Sequence, residues 1–184
     1  MLSPADGNFL VRLARRAIEC ELEGKKCGLA APKPMPERGV FVTLTTKGRG
    51  LRGCIGFPEP VAPLDKAVAD AALCAAFKDP RFPPVAKEEL KGLVVEVSVL
   101  SEMELLKKPP KNYPDQIRIG AHGLVIDHLG CRGLMLPQVA PEQGWDAEEF
   151  LCHVCMKAGL PPDAWMDERA KLWRFSAQVF AERK

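Results

Sequence analysis

The 184-residue chain contains no run of about 18 apolar residues, so a membrane-spanning helix is not its organising element. It also lacks a charge excess: 26 Lys plus Arg stand against 24 Asp plus Glu. Without a strong global field, a nucleic-acid partner is not expected from charge, and neither is an anionic membrane. The first residues, Met1-Leu2-Ser3-Pro4-Ala5-Asp6, do not follow the basic-then-apolar order of a secretory leader, and a cytoplasmic protein is expected. No Walker A loop, dinucleotide glycine fingerprint, HExxH pair or nucleophilic-serine elbow occurs. ATP, nicotinamide dinucleotides and catalytic zinc are thereby disfavoured, and no cofactor or metal is expected. Seven cysteines, an odd number without a framework, read as reduced thiols in a chain long enough to bury its own core.

What is present is a mixed succession of helix and strand patterns. Ser3-Pro4-Ala5-Asp6 is a helix start, and Phe9, Leu10, Leu13, Ala14, Ala17, Ile18 and Leu22 recur at helical spacing up to Gly24. Arg12, Arg15 and Arg16 lie on the outer face, a pattern that grips phosphate or simply solvates a helix. The proline-rich segment from Lys25 to Arg38 is an extended connector. Val40 to Thr45, a turn at Lys47-Gly48-Arg49-Gly50, and Leu51 to Gly56 form a hairpin. Leu64 to Ala76 is an apolar helix, and Lys78 to Pro84 a stiff proline loop with Asp79 and Arg81 close together.

Leu93 to Leu100 alternates as a strand whose second face is interrupted by Glu96. Three short strands follow at 117–119, 124–127 and 134–136, then a helix opened by Asp146-Ala147-Glu148-Glu149 and ended at Gly159, and last a strand from Lys171 to Phe180. The order is neither strict βαβ nor all-β, so the fold class is α+β, with a mainly antiparallel sheet and flanking helices. A single domain over 1–184 is expected, with room for two sub-lobes.

The most unusual hexapeptide is Leu51-Arg52-Gly53-Cys54-Ile55-Gly56. Two glycines bracketing Cys54 in a strand imply a bulge, a special backbone angle, or close approach of a ligand or another segment. Cys54 is either a reacting thiol near the Arg52 cation or a small inert residue beneath a closely packed helix. A thiol nucleophile needs a base. His122, in the turn Gly120-Ala121-His122-Gly123, is the best placed of the three histidines by local logic, unless it merely serves the turn. Glu96 either orients that imidazole, handles the proton itself, or pairs with a structural arginine such as Arg81. Gln138, after Pro137, offers a ligand contact or a backbone cap. The thiols of Cys152-His153-Val154-Cys155 begin inside a helix and read as core packing.

The motif Leu51-Arg52-Gly53-Cys54-Ile55-Gly56 resembles that of the AMMECR family, named for a candidate protein of the human AMME syndrome region. Asp79-Pro80-Arg81-Phe82-Pro83-Pro84, Val95 to Leu100, Leu136-Pro137-Gln138-Val139, Gly144-Trp145-Asp146 and Lys157-Ala158-Gly159-Leu160 are similar to family segments in family order. The resemblance implies a cytosolic α+β protein of two intimately packed lobes, linked in some genomes to Memo-type and radical SAM proteins. It implies no established reaction. The turn 47–50 and the connector after Lys26 are shorter than in some relatives.

These readings lead to an enzyme or small-molecule processing domain. Cys54 is its nucleophile, His122 or Glu96 manages protons, and Arg52, Arg81, Gln138 and the amides of Gly53 and Gly56 hold an anionic or carbonyl group. The alternative is a non-catalytic module for a protein or RNA partner, in which Arg12, Arg15 and Arg16 supply contacts.

Overall fold

The computed structural model describes residues 2–29, 31–46, 48 and 50–182. Helix α1 (Pro4–Leu22) begins as its sequence dictates. Ser3 Oγ accepts the Asp6 N–H at 3.2 Å, and the Asp6 carboxylate accepts the Ser3 N–H at 3.2 Å. The chain then leaves the helix through Gly24, at φ +65°.

Two compact units follow from the chain's contacts: residues up to Leu100 together with Gln178 onward, and Ser101–Ala177. The first unit contains β1 (Val40–Thr46), β2 (Gly50–Phe57), helix α2 (Leu64–Phe77) and β3 (Leu93–Leu100). The sheet is completed by β8 (Ala177–Ala181), giving the order β2-β1-β3-β8. One face presents Val40, Val42, Leu44, Val95 and Val97, all buried against Leu10, Ile18, Leu64, Val68 and Ala72 of the two helices. Each such Val or Leu contributes about 1.5–3 kcal/mol through burial. Strand alternation places Thr43, Cys54, Glu96 and Ser98 on the opposite face.

The second unit holds β4 (Glu104–Leu105), β5 (Gly123–His128), β6 (Cys131–Met135), the short α3 (Val139–Gln143), α4 (Ala147–Lys157) and β7 (Lys171–Phe175). Its sheet runs β4-β7-β5-β6, antiparallel throughout. Asp146 and Glu149 close the capping box that starts α4, whose Phe150, Leu151, Val154 and Cys155 pack with Leu124, Ile126 and Leu172. The chain is therefore α+β, with two antiparallel sheets and helices.

Two expected elements differ. Residues 117–119 form no strand, because 3₁₀ turns at Pro110–Asn112 and Pro114–Gln116 run into the Arg118–His122 turn; Ile117 and Ile119 pack on the core from there. The single strand expected from Lys171 to Phe180 is two, β7 and β8, which belong to different sheets. The break falls at Ser176, whose carbonyl accepts the Ser101 N–H at 2.8 Å and whose N–H donates to Ser101 Oγ at 2.9 Å. In the hairpin turn Gly48 and Gly50 have φ +76° and +82°, while Lys47 and Arg49 lie outside the described residues.

Candidate functional site

β2 is an edge strand, and its bulge is where the motif departs from regular pairing. Leu44 faces Gly53 and Thr45 faces Leu51, so Arg52 is the extra residue. Both glycines are required by packing. A Cβ on Gly53 would lie 2.2 Å from the Ala75 carbonyl oxygen of α2, and one on Gly56 would lie 2.2 Å from the Val40 carbonyl oxygen and 2.5 Å from the Phe41 ring. The helix and the hairpin approach each other as closely as a backbone permits.

Cys54 is half-buried on the face turned away from α1 and α2. Thr43 stands opposite Cys54 on one side of β1 and opposite Glu96 on the other, which sets thiol, hydroxyl and carboxylate in a row across three strands. Thr43 Oγ1 is 3.3 Å from Cys54 Sγ. Glu96 has an interaction of its own. Its strand lies two spacings, about 9.5 Å, from that of Cys54, so Thr43 separates the two groups.

The outer edge of Cys54 is held by the proline loop. Asp79 Oδ2 accepts the Cys54 N–H at 2.9 Å, and Arg81 Nη2 donates to the Cys54 carbonyl at 3.2 Å. Asp79 is buried, with a side chain 1% exposed, and Arg81 grips both its carboxylate oxygens, at 3.0 and 2.7 Å. Arg81, together with the N–H of Cys54, holds the Asp79 carboxyl well below the usual carboxylate range. Arg52 is committed elsewhere: Nε and Nη2 donate to Glu89 at 2.7 and 3.0 Å, and Nη2 also to the Pro84 carbonyl at 3.3 Å. The Phe82 ring has the guanidinium of Arg52 at 6.0 Å and that of Arg81 at 5.4 Å from its centroid.

Of the residues singled out in the sequence, Arg52, Gly53, Cys54, Gly56, Arg81 and Glu96 belong to the first unit, and His122 and Gln138 to the second. His122 Nδ1 accepts the Arg118 N–H at 3.0 Å, closing a turn in which His122 N–H donates back to the Arg118 carbonyl at 2.9 Å. Burial, then the cations Arg174 and Arg118, lower its pKa. Gln138 caps α3 with its backbone carbonyl, not its side chain. Arg81, one expected partner of Glu96, pairs with Asp79. The sequence shows Asp79 beside Arg81 in the proline loop but gives it no role at Cys54, and Thr43, a hydroxyl in a β-branched strand, carries no signal of its own.

Elsewhere, Cys155 is buried in α4, which pushes its thiol up to about 11, and His153 stacks on Trp145 at 3.7 Å. Among the described residues no cluster of three or more His, Cys, Asp or Glu is arranged to hold a metal, and no helix is long and apolar enough to cross a membrane.

The fold and the edge-strand motif define an α+β protein built on two antiparallel sheets, with a glycine-bracketed thiol on the first. The AMMECR1 family model matches residues 11–180, and the chain belongs to that family. It is 54% identical over 187 residues to a protein of Methanothermobacter thermautotrophicus, covering 98% of this chain and 96% of that one. It is 52% identical to protein MJ0810 of Methanocaldococcus jannaschii, covering 99% and 92%. The crystal structure of the uncharacterised protein PH0010 from Pyrococcus horikoshii has a similar fold, with a TM-score of 0.90 and 50% identity over 96% of this chain and 91% of that one.

Proposed function

We propose that the chain is a cytoplasmic small-molecule processing domain in which Cys54 is the reacting group. The observation that carries this reading is the row Cys54, Thr43, Glu96 on one sheet face, with the Cys54 backbone clamped by Asp79 and Arg81. A clamped backbone keeps the thiol in one place, as a nucleophile requires. In the reaction this arrangement fits, the Cys54 proton passes to Thr43 Oγ1 as the Thr43 proton passes to Glu96. The sulfur then adds to a carbonyl carbon, forming the C–S bond while the C–O π bond opens, and the proton returns to the resulting oxyanion. Arg81, whose charge Asp79 balances but whose side chain is 53% exposed, offers hydrogen-bond donors to an oxygen of the same substrate.

Alkylation of the native protein by iodoacetamide, read by peptide mass spectrometry across pH, tests the reading. Cys54 should be labelled without global unfolding, and Thr43→Val and Glu96→Gln should each slow the labelling near neutral pH. If Cys54 is labelled only as fast as the protein unfolds, the thiol is core, and the non-catalytic binding module is the better reading.

A further inference from the structure

The seven cysteines are all free, and two of them lie together where α1 ends. Cys20, in the last turn of the helix, is 2% exposed, yet it is not among the residues of the apolar core that α1 shares with the first sheet. The chain turns back at this point. Past Glu23 and the left-handed Gly24, the Lys25 N–H donates to the Cys20 carbonyl at 2.8 Å, so the segment that follows returns to the helix end. This return brings the exposed Cys27 to the buried Cys20, and the two thiols are hydrogen-bonded. A disulfide requires two sulfurs that already face each other, and these do. The Arg16 guanidinium, one turn before Cys20, acts on the same sulfur. Burial pushes the Cys20 thiol up, with Arg16 opposing it.

We infer that Cys20 and Cys27 are a reversible redox pair, which closes to a disulfide when a hydroperoxide reacts at Cys27. The exposed sulfur meets the oxidant first, because oxidation follows thiolate character and access. With hydrogen peroxide, the Cys27 thiolate attacks one oxygen, the S–O bond forms as the O–O bond breaks, and the departing hydroxide takes up the thiol proton as water. The Cys20 sulfur then attacks the Cys27 sulfenic acid. The S–S bond forms, the S–O bond breaks, and hydroxide leaves with the Cys20 proton as a second water. Two thiols are thereby oxidised to one disulfide while one peroxide is reduced to two waters. Arg16 favours the Cys20 thiolate that this second step needs. Cys152 and Cys155 are closer in sequence but differently built: both lie within α4, and Cys155 is buried with its thiol pushed up to about 11. Cys54 stands on β2 and takes no part in these steps, so failure of the pair leaves the Cys54 reading untouched, and the converse holds.

The test treats the full, reduced chain with stoichiometric hydrogen peroxide near neutral pH, alkylates the remaining thiols with iodoacetamide in urea, and maps the links by peptide mass spectrometry without reduction. A Cys20–Cys27 link is expected as the main product, reversed by dithiothreitol, with Cys152 and Cys155 recovered in alkylated form. Cys20→Ala should stop the reaction halfway, leaving Cys27 as a sulfenic acid that dimedone captures. Cys27→Ser, at an exposed position, should leave the melting temperature unchanged and Cys20 a thiol. Cys54→Ser should form the link as the parent does. A Cys152–Cys155 link formed ahead of it, oxidation of Cys27 that leaves Cys20 a thiol in the parent chain, equal oxidation of Cys20 in Cys27→Ser, or loss of the link in Cys54→Ser would overturn the inference.

Discussion

The Asp79 carboxylate occupies the place a neighbouring strand's carbonyl would take beside Cys54, accepting its N–H at 2.9 Å, while Arg81 donates to the Cys54 carbonyl. Two side chains thus finish the edge of β2. Removing the acid leaves a backbone donor unpaired and releases Arg81 to solvent, so Asp79→Ala should cost about 2 kcal/mol. Urea denaturation measures it, and a loss under about 0.5 kcal/mol would show that the loop holds without the clamp.

The same pair sets an acid limit. Because the folded Asp79 pKa lies below its unfolded value of about 3.9, its contribution is complete above the unfolded value and is lost as pH falls through it toward the folded one. Asp79→Asn should therefore lose less stability than the parent on acidification below about pH 5. Urea midpoints at a series of pH values compare the two chains.

His122 has the opposite charge type and the same direction of slope. Its folded pKa is below the unfolded value of about 6.5, so the unfolded chain binds more protons in that window. Stability should rise as pH rises through it. His122→Gln should flatten that rise, and an NMR titration should place the imidazole below its ordinary pKa.

Packing at the motif can be separated from chemistry with glycines alone. Gly53→Ala forces a methyl to within 2.2 Å of the Ala75 carbonyl oxygen and should cost about 1–3 kcal/mol. Gly92→Ala meets nothing within 4 Å and has no positive φ, so it should be near neutral. Equal effects would mean that α2 can retreat from the hairpin.

Apart from Cys54, the cysteines should label in an order set by burial. Exposed Cys27 should react first, and Cys155, buried and pushed up to about 11, only after unfolding. Native alkylation at neutral pH, resolved peptide by peptide, reads that order.

Local rules made much of this legible. The Ser3 and Asp146 caps, the apolar α2 and the alternating β3 depend on neighbours within a few residues, and each stands where its pattern places it. The break at Ser176 was hidden, since the alternation continues across it while the chain changes sheets. At the site, Cys54 and its glycines stood out, but a motif read linearly assigns Arg52 to the thiol. The bulge accompanies a guanidinium bound to Glu89, and the cation at Cys54 comes from Arg81, 27 residues onward. Likewise, Thr43 acquires meaning only once β1 lies between Cys54 and Glu96.

The return of β8 to the first sheet, fastened by Arg15 to Glu182, has a consequence for synthesis. A ribosome that has delivered the first hundred residues has delivered a sheet with an empty lane beside β3 and an arginine whose acid has yet to be made. The intervening segment 101–177 can organise its own sheet during that wait, as an inserted module would. The sheet of β1, β2 and β3 is therefore completed only after the unit that follows it, and the nascent chain must keep the outer edge of β3 from pairing with a stranger until β8 arrives.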